Sequence, residues 1–285
     1  MATFTRSDAC KVGEILSEVA RAEIMPRFRG AIASSTREKS SAFDVVTDAD
    51  EAAEREIAVR LLKLFPHAVL VGEEAAGRDP ELLGKIASAD LAFIIDPIDG
   101  TKNFASGVPL FGVMVAATVR GQVVLGLIHD PICGDTFYAV RYEGAWREGG
   151  GMATGDLKVA PPVPVSQMHA VVGSNFLPEP LRTTVAQNLS KLSMNFWLRC
   201  AAHEYRLVAA GHCQVLLYNK LMPWDHAAGW LLHQEAGGYS AHFDGTPYAP
   251  SHFTGGLICA PDRASWQEVR DALLEPIAGP SGVRG

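Results

Sequence analysis

The sequence predicts an α+β / α/β protein in two parts, an antiparallel N-terminal sheet with helices followed by a C-terminal mixed α/β sheet. Three observations carry this. The apolar runs Phe111 to Val119, Gln122 to Ile128 and Asp135 to Val140 are separated by Arg120-Gly121 and by Asp130 to Gly134, the pattern of an antiparallel meander. Gly149-Gly150-Gly151, followed by Pro161-Pro162-Val163-Pro164, punctuates the middle of the chain. Beyond that point strands and helices alternate, as in a mixed sheet. A division into an N-terminal α+β domain, 1–150, and a C-terminal α/β domain, 151–285, is therefore expected.

Taken in order, Val12, Ile15, Leu16 and Val19 recur at helical spacing and predict a packing helix that ends near Pro26. Lys39-Ser40-Ser41 reads as polar loop, and Asp44 to Thr47 as a short extended piece. Asp48 onward begins a helix carrying Ile57, Leu61, Leu62 and Phe65. Thr47 with Asp50 makes a capping signature for it. Ala68 to Val71 reads as a strand ending in Gly72-Glu73-Glu74. Neighbouring residues on an extended chain point to opposite sides, so only one of the two glutamates should face any site there. In the C-terminal half, strands are expected at His169–Val172, Met194–Leu198, Cys213–Leu217 and Gly256–Ala260. Helices are expected at Pro178–Leu192, His203–Ala210, Asp225–Glu235 and Ala264–Leu274.

The 285 residues are enough for a large core. A formal net charge of -7 argues against the basic stripe of a nucleic-acid or anionic-membrane surface. The five cysteines, Cys10, Cys133, Cys200, Cys213 and Cys259, are scattered and include no C-x-x-C pair, so neither a disulfide framework nor a zinc site is indicated. The N-terminus is polar, and the longest apolar stretch, Val108 to Val119, is broken by Pro109 and Gly112. A cytoplasmic protein without membrane or nucleic-acid partners is expected.

Chemistry is concentrated in Asp96-Pro97-Ile98-Asp99-Gly100-Thr101. Leu91 to Ile95 reads as a buried strand that Pro97 brings to an end, placing Asp96 at its tip. Two carboxylates with carbonyls between them are hard oxygen ligands suited to Mg²⁺ or Mn²⁺. The Gly100-Thr101-Lys102 amides can open a helix whose N-terminus favours phosphate. The plainer alternative is a turn in which Asp99 or Thr101 caps that helix. Asp225, after Trp224 and before the helical face Ala228, Leu231 and Leu232, is likewise either a cap or an acid aimed into a cleft.

Gly72-Glu73-Glu74, Asp96-Pro97-Ile98-Asp99-Gly100-Thr101 and Trp224-Asp225-His226-Ala227-Ala228-Gly229, in this order and spacing, resemble the inositol monophosphatase family of Mg²⁺-dependent, typically lithium-sensitive phosphatases. The match runs from about Lys39 to Gly238. The resemblance implies a layered αβαβα sugar-phosphatase fold and a homodimer. It also implies two or three Mg²⁺ ions, with Mn²⁺ able to substitute. Glu73, Asp96, the Ile98 carbonyl, Asp99 and Asp225 become metal ligands, the last supplied by the C-terminal part. Glu73, Thr101 and Asp50 become the groups that orient and deprotonate the attacking water, and Gly100 and Thr101 bind phosphate.

The substrate-selecting segment departs from the family. Ala202-His203-Glu204 stands where a Gly-Thr-Ala run is usual, and Tyr218, with Lys220 nearby, stands where a glutamate is usual. Lys39, Ser174, His203, Glu204, Tyr218 and Lys220 are the candidates for substrate contact, each equally readable as a packed or solvated side chain. The expected partner is a small phosphorylated metabolite, with inositol phosphate, histidinol phosphate and 3'(2'),5'-bisphosphate nucleotides as alternatives. A catalytically silent, metal-dependent binding or regulatory protein is the reading from another class.

Overall fold

The meander is present and extends beyond the expected runs at both edges. The computed structural model describes residues 4–29, 36–41, 44–151 and 153–276, with backbone alone for 36–41 and 44–46. Helix α1 (Arg6–Val19) starts at a reciprocal capping box between Thr5 and Asp8, buries Val12, Ile15, Leu16 and Val19, and runs on through a wider turn at Ala20–Ile24. Strands β1 (Thr36–Ser41) and β2 (Asp44–Thr47) form an antiparallel pair, so Lys39-Ser40-Ser41 is strand rather than the loop that its polarity suggested. The Lys39 side chain lies outside the described residues. Helix α2 (Asp48–Leu64) follows from a Thr47–Asp50 capping box.

Next come β3 (Val69–Gly72), α3 (Glu73–Arg78), α4 (Lys85–Ser88), β4 (Ala92–Asp99) and α5 (Thr101–Ala105). They lead into β5 (Gly112–Val119), β6 (Gln122–Asp130), β7 (Asp135–Val140), β8 (Gly144–Gly149) and β9 (Gly155–Asp156). The seven strands lie in sequence order, β3 and β4 parallel and the remainder antiparallel. Two expectations are corrected. Strand β4 does not stop at Asp96. Its pairing with β5 steps from Asp96 opposite Met114 to Asp99 opposite Gly112, so it carries one extra residue there, and Pro97 sits in that bulge, where no ladder N–H is required. Glu73 and Glu74 do not end a strand but open α3.

The sheet is buried on both faces, and alternation along its strands sorts them. Phe93, Ile95, Val113, Val115, Leu125, Leu127 and Tyr138 pack with α1 and α2. Ile94, Met114, Ala116, Ile128, Phe137 and Ala139 face the other way, onto two helices from the C-terminal half, α7 (Ala201–Ala209) and α8 (Pro223–Glu235). The approach of α8 is close: a Cβ on Gly126 of β6 would lie 2.7 Å from the Ala228 carbonyl oxygen.

The second sheet contains β10 (His169–Val172), β11 (Met194–Phe196), β12 (Val215–Tyr218), β13 (Tyr239–Ala241) and β14 (Leu257–Ala260), in the order β11-β10-β12-β14-β13. Strand β10 is parallel to both neighbours, whereas β14 is antiparallel to β12 and β13, so the sheet is mixed. Helices α6 (Leu181–Asn188) and α9 (Arg263–Leu274) pack on it around Val185, Trp266 and Val269. The three-residue β13 escaped the sequence reading because it is too short to show a period. All five cysteines are free, with Cys200, Cys213 and Cys259 buried. Among the described residues no helix is long and apolar enough to cross a membrane.

Candidate active site

Strand β4 delivers the centre of the site. Asp96 precedes the bulge and Asp99 ends the strand, and the bulge brings both carboxylates to one place although two residues lie between them. Asp225 joins them from the first turn of α8, where Pro223 supplies a helix start that needs no N–H. One carboxylate oxygen from each of Asp96, Asp99 and Asp225 lies within 4.8 Å of the others. Asp96 is only 1 % exposed and Asp99 9 %.

This proximity has an electrostatic cost. Burial, then the charges of Glu73, Asp99 and Asp225, hold the Asp96 carboxyl well above the usual carboxylate range. Asp225 is raised by burial and by Asp99 and Glu73. Asp99 is pushed up to about 6 by burial, against the lowering effect of its hydrogen bonds. Those bonds come from the Ala202 N–H at 2.6 Å and the Cys200 thiol at 3.0 Å, both to Oδ2. Glu73, the first residue of α3, thus acts on the whole group through its charge.

Beside the cluster, Thr101 opens α5 behind Gly100, which adopts the left-handed conformation at φ 85°. A side chain at Gly100 would also meet the Leu110 carbonyl at 2.9 Å. The Thr101 Oγ1 lies 2.8 Å from the Ile98 carbonyl oxygen and 3.3 Å from Asp50 Oδ1. Asp50 Oδ2 accepts from the Thr47 N–H at 2.8 Å and the Thr47 hydroxyl at 2.6 Å. Asp50 therefore both caps α2 and reaches Thr101, and burial pushes its carboxyl up to about 7.

Of the residues considered for substrate contact, His203 and Glu204 lie on α7 and Tyr218 on β12, with Lys220 just beyond it. Glu204 is buried, with the Leu198 N–H donating to Oε1 at 2.8 Å and the Tyr218 hydroxyl donating to Oε2. His203 is half-buried, its Nε2 3.2 Å from the Phe111 carbonyl oxygen. Lys220 is exposed, and its charge is felt at Asp225. Ser174 lies in the single turn after β10, beyond Gly173, whose surroundings include Trp197 and Tyr218.

Sequence reasoning missed three participants. Cys200 and Ala202 lie about a hundred positions from the Asp99 that they hold, and nothing local marks them. Glu54 accepts from the N–H groups of Glu74 at 2.7 Å and Ala75 at 2.9 Å, and for this residue a signal existed. It lies on the buried stripe with Ile57 and Leu61, where a carboxylate needs a partner.

A second acidic group, Asp130, Cys133 and Asp135, shows what a self-sufficient cluster looks like. Arg206 Nη2 donates to both Asp135 oxygens at 2.8 Å, and its Nη1 lies 3.7 Å from Asp130. Among the described residues no Lys or Arg forms an ion pair with Asp96, Asp99 or Asp225, and the one cation felt there, Lys220, lowers Asp225 from a distance. Three clustered carboxylates, Asp96 and Asp99 buried and Asp225 half-buried, are a donor set for a hard divalent cation, which fits Mg²⁺.

Two sheets enclosing a carboxylate cluster that could hold metal are features of a phosphatase class, and the chain belongs to the inositol monophosphatase family, whose model matches residues 4–277. It is thus a phosphatase of the inositol monophosphatase superfamily, a generally Mg²⁺-dependent group. Among individual relatives, the protein named Nus factor SuhB of Pseudomonas aeruginosa is 34 % identical over 223 residues, covering 74 % of this chain and 77 % of that one. The fructose-1,6-bisphosphatase/inositol-1-monophosphatase of Thermotoga maritima is 31 % identical over 210 residues, covering 73 % and 75 %. A solved structure of an inositol monophosphatase from Thermotoga maritima superposes with a TM-score of 0.76 at 26 % identity, over 92 % of this chain and 94 % of that one.

Proposed function

We propose that this chain is a phosphomonoesterase that hydrolyses a small phosphorylated metabolite by direct attack of water, without a phosphoenzyme. The observation that carries the reading is the cluster of Asp96, Asp99 and Asp225 beside the Thr101–Asp50 pair. Glu73, Asp96, the Ile98 carbonyl, Asp99 and Asp225 would hold two or three Mg²⁺ ions, or Mn²⁺ in their place. Such ions supply a lowered water pKa and charge stabilisation of the transferring phosphoryl group. In our reading the 1–150 part brings all but Asp225, which the 151–285 part contributes together with most of the substrate wall.

The protein's own groups set direction. The Thr101 hydroxyl proton lies between the Ile98 carbonyl and Asp50 Oδ1, leaving an oxygen lone pair to receive a proton from the attacking water. Asp50 takes up the proton relayed at Oδ1, and Glu73 aligns the same water. The amides of Gly100 and Thr101 orient the phosphate oxygens. Lys39, Ser174, His203, Glu204, Tyr218 and Lys220 form the substrate side. Exposed Lys220 favours an ester with further anionic character near Asp225, which supports testing bisphosphates beside inositol 1-phosphate.

The test is phosphate release with Mg²⁺ from inositol 1-phosphate, histidinol phosphate, 3'-phosphoadenosine 5'-phosphate and fructose 1,6-bisphosphate, with Asp96→Asn as control. Release abolished in the control supports the reading; no metal-dependent release from any ester refutes it. The Pseudomonas aeruginosa relative, named as a Nus factor, supports a second reading in which the chain also serves as a binding or regulatory protein. A partner interaction that survives Asp96→Asn would mark that role. The family also supports a homodimer, a cytoplasmic location and lithium sensitivity, checked by sedimentation, fractionation and inhibition.

A further inference from the structure

Glu73 must be held in place, yet its own helix gives it little support. Helix α3 has only six residues, and its N-cap, Gly72, has no side chain with which to satisfy the first-turn N–H groups. Glu54 does this from another helix: its two oxygens accept from the N–H groups of Glu74 and Ala75, the second and third residues of α3, at 2.7 and 2.9 Å. The glycine is the counterpart of that contact. A Cβ on Gly72 would lie 2.3 Å from the Glu54 carboxyl carbon and from Oε2, so any side chain at 72 would expel the carboxylate.

Glu54 stands one helical turn after Asp50 on α2, and both are buried. One turn of α2 thus reaches Thr101 through Asp50, and the next reaches the backbone beside Glu73 through Glu54. We propose that Glu54 is a positioning residue, and that the Asp50–Glu54 pair makes α2 a bracket fixing Glu73 relative to Thr101. The inference rests on the reading of Glu73 as a metal and water ligand, but concerns a carboxylate whose two oxygens are engaged by backbone N–H groups. It also gives the Gly72 of the Gly-Glu-Glu motif a steric role: it admits the cap from α2.

The test is a double-mutant cycle of Gly72→Ala and Glu54→Ala, with Glu54→Gln as the conservative variant, read by calorimetric titration of Mg²⁺ and by the Mg²⁺ dependence of kcat and KM. Gln can accept from only one of the two N–H groups whichever way its amide is turned, so Glu54→Gln should bind Mg²⁺ about tenfold more weakly, the usual size for a lost outer partner of a metal ligand. At saturating Mg²⁺, kcat should fall while KM for the ester stays unchanged. Gly72→Ala should cost about as much in the parent and almost nothing in Glu54→Ala, because the clash goes with the carboxylate. Parental Mg²⁺ affinity and kcat in Glu54→Gln, or an equal Gly72→Ala cost in both backgrounds, would overturn the proposal. Calorimetry needs no turnover, so the parent's failure on every ester would count against the phosphatase reading and leave the bracket to be judged by metal binding.

Discussion

Asp99→Asn should make the metal-free protein more stable while weakening its hold on Mg²⁺. Asp99 Oδ2 accepts both of its hydrogen bonds, from Ala202 N–H and Cys200 Sγ, and an Asn oxygen in that position keeps both. What changes is the charge. Burial raises this carboxyl from 3.8 to about 6, and the difference corresponds to about 3 kcal/mol of destabilisation once the group is ionised in both folded and unfolded states. The folded state holds the proton more tightly, so the cost is absent below the unfolded value, grows as pH rises through the interval, and is complete above the folded value. With chelator at about pH 8, a 3 kcal/mol gain should raise the melting temperature of Asp99→Asn by roughly 6–12 °C over the parent, and at about pH 3, below the unfolded value, the two should nearly coincide. Added Mg²⁺ binds the parent's folded state and reverses the order. Thermal melts followed by circular dichroism across this pH range make the comparison. A chelated variant no more stable than the parent at about pH 8 would refute the idea that the buried, ionised Asp99 costs the metal-free fold stability.

Three further outcomes follow from the same geometry. Asp96→Asn should keep the fold and lose more than about a hundredfold in phosphate release, with circular dichroism confirming the first and a phosphate assay the second. Thr101→Val removes the hydroxyl between the Ile98 carbonyl and Asp50, and should lower kcat by about 10²–10⁴ with little change in KM in steady-state kinetics. Gly126→Ala forces a methyl against the Ala228 backbone, so it should destabilise the protein by about 1–3 kcal/mol and weaken Mg²⁺ binding through the displaced Asp225, measured by denaturation and titration.

Much of the site was legible because the chemistry is written in contiguous residues: Asp96 to Thr101 carry two carboxylates, a carbonyl, a turn glycine and a hydroxyl in six positions. The meander was legible for the same local reason, its strands being long enough to show apolar runs between turns. What local reading misjudged were the joints. Pro97 looked like a terminator, yet a bulge absorbs a proline without ending the strand. Glu73 and Glu74 looked like a strand end because the cap that turns them into helix comes from Glu54, twenty positions earlier. Cys200 and Ala202 were invisible because a thiol and a backbone N–H acquire meaning only when a distant Asp99 is brought to them.

The packing of α8 beneath the first sheet bears on how the chain matures as it leaves the ribosome. Synthesis proceeds from the N-terminus, so α1 and α2 are available to one face of the meander as soon as β7 and β8 emerge. The opposite face, with Met114, Ile128 and Phe137, waits for Tyr205, Ala228, Leu231 and Leu232, some seventy to a hundred residues later. During that interval a nascent chain carries an uncovered apolar surface of the kind chaperones shield. The segment that finally covers it is the one bearing Asp225, so closing the core and completing the site are a single late event.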